Sequence, residues 1–318
     1  MIDLNQLEWY DNSFLERTDS CHRKAFYYKL YQPPGQDTPG IDRGVGPGAH
    51  FGTCWHAAMA KFYGLQPLGL PRAKRRILAM RAFAATHERL FPDPALLEDK
   101  HKLDNGLALL DEYYDYYQQE DEFLEPVDSE VAALIPIQPR PGEPPFDPFA
   151  YAIKTDGLIR RLKYTDLYVR EFKTTSYGVD RELKKREMDR QTEGYLWGWR
   201  ELMPNDAIEG VMVDVAHISS SSMEPGKRFK REYFAKSRSV TEEWRQETIT
   251  KVEAWRSVIR QALRFEGLAR IRAFDRSTVE CTNYGLCSYY DLCYHGINAV
   301  DMRNYSPNTW NPLASTEE

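Results

Sequence analysis

Lys154-Thr155-Asp156-Gly157-Leu158-Ile159, a polar bend over residues 161–165, then Asp166-Leu167-Tyr168-Val169-Arg170-Glu171-Phe172-Lys173-Thr174-Thr175: this stretch decides how the chain is read. Apolar residues alternate on both sides of the bend, which is the pattern of a β-hairpin. Residues two apart on a strand share a face, so Glu171 and Lys173 point the same way. A bend centred between Lys163 and Tyr164 sets Asp156 directly opposite Glu171. Two carboxylates and an ammonium then converge on one patch of sheet. Such oxygen ligands suit a hard cation, with a lysine beside it to act on water. The plain alternative is a solvated strand face with an ordinary Glu–Lys pair, so other segments must decide.

The chain has 318 residues, enough for one elaborated domain or two small ones. Its 42% hydrophobic and 28% charged residues are those of a globular protein. No apolar run is long enough to span a bilayer, and the acidic N-terminus lacks a signal-peptide pattern, so a soluble, cytoplasmic protein is expected. A net charge of −6 excludes an overall basic field. Nucleic-acid binding would rest on local patches at 72–76, 160–163, 184–190 and 227–231, each of which also reads as a solubilising surface.

Periodicity predicts helices over 4–31, 49–63, 72–90 and 103–119, then a strand over 128–137. A Pro-rich, mobile connection over 138–148 leads into the hairpin. Asp180 is placed to cap a helix running to Leu202, which Pro204 ends. Strands at 210–219 and 228–234 and a long helix at 241–265 follow. The helix at 49–63 puts Gly52, His56 and Ala60 on one face. In the helix after the hairpin, Gln191 and Tyr195 lie one turn apart, with Lys184 and Glu187 along the same side. That pair suits neutral hydrogen bonds to a phosphate or a base. The alternative is that Tyr195 packs with Leu196 and Trp199 while Gln191 is merely exposed. No phosphate-binding loop of the Gly-x4-Gly-Lys-[Ser/Thr] type occurs.

Five cysteines without an export signal favour metal ligation over disulfides. Cys281, Cys287 and Cys293 cluster as C-x5-C-x5-C, and Cys21 stands near the other end. Three clustered thiols and a remote one supply the four ligands of a [4Fe–4S] cluster. A zinc site of four thiolates uses the same count, although zinc more often takes two close pairs. Cys54 reads as a free buried cysteine.

Together these residues resemble the PD-(D/E)XK nuclease superfamily, in its RecB-like exonuclease branch. The resemblance is to members with an iron–sulfur staple, the CRISPR-adaptation nucleases and the AddB-type nuclease domains. Its carriers are Phe51-Gly52-Thr53-Cys54-Trp55-His56, Thr155-Asp156-Gly157, Glu171-Phe172-Lys173, Gln191 to Tyr195, Cys21 ahead of Phe26-Tyr27-Tyr28, and the C-terminal cysteine trio. Thr155 stands where the eponymous proline would be, and the trio lacks the relatives' C-x2-C pair.

The resemblance implies an α/β (α+β) fold: a mixed central sheet flanked by helices, with a restriction-endonuclease-like core and its two ends joined by a metal cluster. It implies one nuclease domain over 1–295, a helical insertion at about 64–125 and an irregular tail at 296–318. The implied activity is metal-dependent hydrolysis of DNA, as an exonuclease on single strands or DNA ends. The alternative is a catalytically inactive DNA-binding or scaffold module in a recombination or CRISPR-adaptation complex. Asp156 and Glu171, with His56 and the Phe172 carbonyl, would bind Mg²⁺ or Mn²⁺. Lys173 would orient or deprotonate water. Gln191 and Tyr195 would contact the substrate, and Tyr177 or Trp197 would either stack on bases or, as the plainer alternative, pack in the core. Cys21, Cys281, Cys287 and Cys293 would hold a structural [4Fe–4S] cluster, with Zn²⁺ as the alternative. A helicase, recombinase or integrase partner would be a separate chain, and a bacterial or phage origin fits.

Overall fold

The computed structural model describes residues 7–33, 36–43, 46–282, 286–308, 311 and 313. The first residues of the helix expected from Leu4, and the far end of the expected irregular tail, lie outside the described residues. In chain order the strands are β1 (Trp9–Tyr10), β2 (Ile41–Asp42), β3 (Leu124–Ile137), β4 (Phe149–Arg161), β5 (Leu167–Thr175), β6 (Ile208–His217), β7 (Phe229–Ala235) and β8 (Ser306–Pro307). The helices are α1 (Asn12–Ser20), α2 (His22–Lys29), α3 (Pro47–Gly64), α4 (Arg72–Leu90), α5 (Leu103–Tyr116), α6 (Gln118–Asp121), α7 (Val179–Arg186), α8 (Arg190–Leu202), α9 (Pro225–Arg228), α10 (Arg238–Ala262), α11 (Gly267–Arg272) and α12 (Tyr290–Tyr294).

Six strands form one mixed sheet in the order β1-β4-β5-β6-β7, with β3 also paired to β4. β4 and β6 run antiparallel to β5 and β7 respectively, and β5 and β6 run parallel. The expected α/β fold, a mixed central sheet flanked by helices, is therefore what the chain adopts. The chain divides into two compact units, residues 45–135, 153–242 and 313–318 in one, and 1–44, 136–152 and 243–312 in the other.

In the first of these, β5 carries the organising alternation. Arg170 and Phe172 face α3: the Phe172 ring stacks on Tyr63 at 5.7 Å, and the Arg170 guanidinium lies 3.4 Å from the Tyr63 ring centroid. Lys173 reaches the other way, to Gln191 of α8. Helix α3 buries Phe51, Cys54, Trp55, Ala58, Met59, Phe62 and Tyr63, the i, i+3, i+4, i+7 stripe of a core-facing helix. Each of its large side chains contributes roughly 1.5–3 kcal/mol of transfer free energy. Beneath them Asp214 accepts from Arg170 at 3.0 Å and from Arg231 at 2.6 Å, and Arg231 also donates to Asp121 at 3.2 Å. Helix α8 comes close to the sheet at Gly198, where a Cβ would stand 2.6 Å from Ile135 Cδ1.

The single helix expected over 180–202 is two helices, and the row through Lys184, Glu187 and Gln191 is broken with it. Asp189 takes an extended conformation and caps α8, accepting from the Gln191 N–H at 3.1 Å. Arg186 bridges the break by pairing with Glu182 and Asp189.

In the other unit the helix expected over 4–31 is also split. Cys21 is extended, closing α1 and opening α2. Aromatic packing among Tyr10, Phe14, Phe149 and Trp255 forms the core here. The Pro-rich connection is clamped rather than loose: Arg245 holds Glu143 through two contacts of 2.6 and 3.0 Å and the Gln138 carbonyl at 2.8 Å. Beyond Cys293, where the sequence shows no periodicity, β8 pairs with β2.

Candidate functional site

The hairpin has the register read from its sequence, with Gly157 opposite Arg170 and Arg160 opposite Leu167. Recorded pairing stops at Gly157 and Arg170, one step short of Asp156 and Glu171. The Phe172 N–H is taken up instead by the Asp156 carboxylate, which accepts it at Oδ2 over 2.6 Å. Gly157 is needed at this point because a Cβ would stand 2.6 Å from the Asp128 carbonyl oxygen on β3. Thr155, in the place of the eponymous proline, accepts from the Trp199 indole N–H at 3.2 Å and so ties β4 to α8.

Four titratable groups gather there. The second Asp156 oxygen, Oδ1, meets His56 Nδ1 of α3 at 2.6 Å. Glu171 pairs with Lys173. Lys173 Nζ also reaches Gln191 Oε1 at 3.4 Å, and the Gln191 amide donates to the Tyr195 hydroxyl at 2.8 Å. The side chains are sheltered but not sealed, with His56 31%, Asp156 16%, Glu171 8% and Lys173 22% exposed. Asp156, Glu171, Lys173, His56, Gln191 and Tyr195 therefore form one connected patch.

Titration follows from the pairing. Burial pushes the Asp156 carboxyl up, but His56, the Phe172 N–H and Lys173 together hold it below its ordinary value. Burial and the Asp156 charge raise Glu171, against the pull of Lys173. Burial disfavours charge on His56 and Lys173, yet the carboxylates win and both are raised. The two acids are thus pushed apart, the usual condition for distinct roles in one site.

Among the described residues, no three His, Cys, Asp or Glu side chains stand ready as a metal-ion cluster. Here each carboxylate turns to a side-chain nitrogen, Asp156 to His56 and Glu171 to Lys173. Two carboxylates gathered on one patch favour positive charge. An imidazole and two carboxylates are a donor set suited to Mg²⁺ or Mn²⁺.

The four cysteines read as one group also converge. Cys21, Cys281, Cys287 and Cys293 line one small cavity with Arg276 and Tyr289. The Ser277 N–H donates to Cys21 Sγ at 3.5 Å, and the Cys287 N–H donates to the Cys281 carbonyl at 2.9 Å. All are free thiols. Burial and the neighbouring sulfurs raise Cys281, and burial pushes Cys293 up to about 11. The donor set fits a thiolate-bound group, although the sulfurs do not already form a ligand cluster. Cys54 is buried in the core of α3, as a structural cysteine should be.

In two places the structure favours the plainer reading. Most arginines of the basic patches are paired internally, while Lys184 and Lys185 stay exposed. Arg72 and Arg76 pair with Asp121, Asp111 and Asp115. Arg160 and Arg161 pair with Glu125 and Asp166. Arg186 is occupied across the α7–α8 break, and Arg228 and Arg231 bind Glu112 and Asp214. Trp197 is 3% exposed and packs in the core, so it has no face to offer a base, whereas Tyr177 is exposed beside Arg181. Sequence reading also passed over Asp189, which sets the start of α8 and hence the position of Gln191. An Asp two residues before Gln191, with Glu193 in the following turn, is the capping signal that marks it.

Among the described residues no helix is long and apolar enough to cross a membrane. The model of the PD-(D/E)XK nuclease superfamily matches residues 13–294. No curated protein matches the chain.

Proposed function

This chain belongs to the PD-(D/E)XK nuclease superfamily, and from that premise we propose that it is a RecB-like DNA exonuclease working with Mg²⁺ or Mn²⁺ on single strands or duplex ends. The observation that carries this reading is the meeting of His56, Asp156, Glu171, Lys173 and Gln191 where the hairpin ladder ends.

Asp156 and Glu171, with His56 and the Phe172 carbonyl, would hold the divalent cation. The imidazole inclines that set toward Mn²⁺ more than oxygen ligands alone would. A bound cation supplies two things: a lowered pKa for its water, and compensation of the charge that builds on the phosphate. Lys173, kept as an ammonium by the neighbouring carboxylates, orients the attacking water and offsets phosphate charge. Gln191 fixes the Lys173 ammonium and, with Tyr195, holds the strand beside the scissile phosphate through neutral hydrogen bonds. His56 and the Phe172 N–H keep Asp156 ionised and aimed.

Cys21, Cys281, Cys287 and Cys293 would hold a structural [4Fe–4S] cluster, a reading supported by four free thiols around one cavity. Such a cluster closes a loop of nearly the whole chain and so restrains the unfolded ensemble. Anaerobically purified protein is expected to be brown. Colourless protein with stoichiometric zinc selects the zinc alternative.

The deciding experiment uses end-labelled single-stranded and duplex oligonucleotides with Mg²⁺, Mn²⁺ or EDTA. Metal-dependent loss of nucleotides from an end supports the reading. No cleavage by the wild-type protein under any metal refutes it.

A further inference from the structure

Beside the carboxylate patch, and within the same unit, lies an open groove of about 590 Å³ between α3, α4 and β3. Its volume falls within the range of sites that take nucleotide-sized ligands. Small side chains make its floor: Ala57 and Ala60 of α3 opposite Ala82 and Ala85 of α4. Its rim carries Lys61 and Arg89, the hydroxyls of Thr86 and Ser129, and Glu130.

Two connections run from this groove to the site. Ala57 directly follows His56 on α3, and Ala60 lies one turn beyond His56 on the same face. Ser129 lies against Gly157, the residue after Asp156, where a Cβ would stand 3.5 Å from the Ser129 Cα. The β3 backbone at this rim is unusual as well. Glu130 holds a φ of 50°, a left-handed conformation that a non-glycine residue keeps only when its surroundings impose it.

We infer that this groove is the subsite for the DNA strand adjoining the scissile phosphate, an inference that rests on the nuclease reading above. It takes about one or two unpaired nucleotides. Arg89 meets a backbone phosphate, and the alanine floor lets sugar and base lie flat against the two helices. The groove reads no base, because its lining offers methyls, two hydroxyls and the long, flexible side chains of Lys61, Arg89 and Glu130 rather than a fixed donor–acceptor pattern.

The test pairs two substrates. Bis(p-nitrophenyl) phosphate reports the metal centre without a nucleotide chain, and a labelled oligo(dT) reports the centre plus the groove. Two variants alter the groove alone: Ala85→Trp fills it from α4, and Arg89→Glu reverses its exposed charge. Both should hydrolyse the small diester at wild-type rates. Both should show a KM for oligo(dT) raised by about tenfold or more, the loss expected from one good contact. Arg89→Glu should also make oligonucleotide binding less sensitive to salt. Variants with unchanged KM and salt dependence overturn the inference, as do variants that lose both activities equally. Wild-type protein inactive on both substrates fails the nuclease reading itself, so the two failures are distinguishable. Arg89 is solvent-exposed, so its variant keeps the test open if Ala85→Trp does not fold.

Discussion

Replacing Lys173 by methionine keeps the aliphatic stem and removes only the ammonium. In the structure that ammonium pairs with Glu171 and touches Gln191, and Glu171 is already raised by burial and by Asp156. Breaking a buried ion pair costs about 3–5 kcal/mol when the orphan stays charged. Glu171 escapes most of that by taking a proton, so the folded state should lose only about 1–2 kcal/mol. The chemistry should lose far more. A group that handles a proton in the transition state is worth about 10²–10⁴ in rate, or about 3–5 kcal/mol. The assay is single-turnover cleavage of end-labelled DNA with Mn²⁺, from pH 7 to 9, with binding measured separately by fluorescence anisotropy in Ca²⁺. Lys173→Met should bind DNA nearly as tightly as wild type and cleave it about 10²–10⁴-fold more slowly at every pH. Near-normal cleavage would refute the assigned centre. Recovery at alkaline pH would refute the direct role, because it would show that Lys173 acts only by keeping Glu171 ionised.

Three further outcomes follow from the packing. Asp214→Ala strands the buried Arg170 and Arg231 guanidiniums and should cost about 3–5 kcal/mol in urea unfolding; a loss below about 1 kcal/mol would mean that solvent reaches them. Glu143 is held down to about 2 by Arg245, below the ordinary carboxylate value. A depressed acid adds stability above its unfolded pKa and loses it as pH falls through the folded one. Glu143→Gln should therefore remove about 1–2 kcal/mol at pH 7, after allowing for its partial exposure, and flatten the acid limb between about pH 4.5 and 2. An unchanged acid limb in thermal melts at stepped pH would contradict this. Gly198→Ala drives a methyl toward Ile135 Cδ1 and Ile153, so either Ile135 changes rotamer or α8 shifts, at a cost of about 1–3 kcal/mol. Because Gln191 and Tyr195 ride on that helix, the variant should also slow cleavage with little change in metal affinity, as isothermal titration with Mn²⁺ would report.

Much of the site was legible without coordinates because its signals are local. Strand alternation and bend position set the Gly157–Arg170 register, and with it the neighbourhood of Asp156 and Glu171. The apolar stripe of α3 left His56 off the buried face, and Gln191 and Tyr195 are one helical turn apart wherever that helix goes. Cysteine count and spacing marked four thiols that do surround one cavity.

What the sequence by itself determined, then, was periodicity and register, because each residue's backbone geometry is set by its immediate neighbours. Only the tertiary structure decided which charges remain available. Arg72 and Arg231 read as surface cations until packing delivers Asp121 to both, 49 and 110 residues away from them in the chain. The same holds for the pairing of His56 with Asp156, 100 residues apart, and of Arg245 with Glu143, 102 residues apart. Each depends on the separation of elements remote in sequence, and a Coulomb or hydrogen-bond partner is chosen by distance in space, which local spacing does not encode.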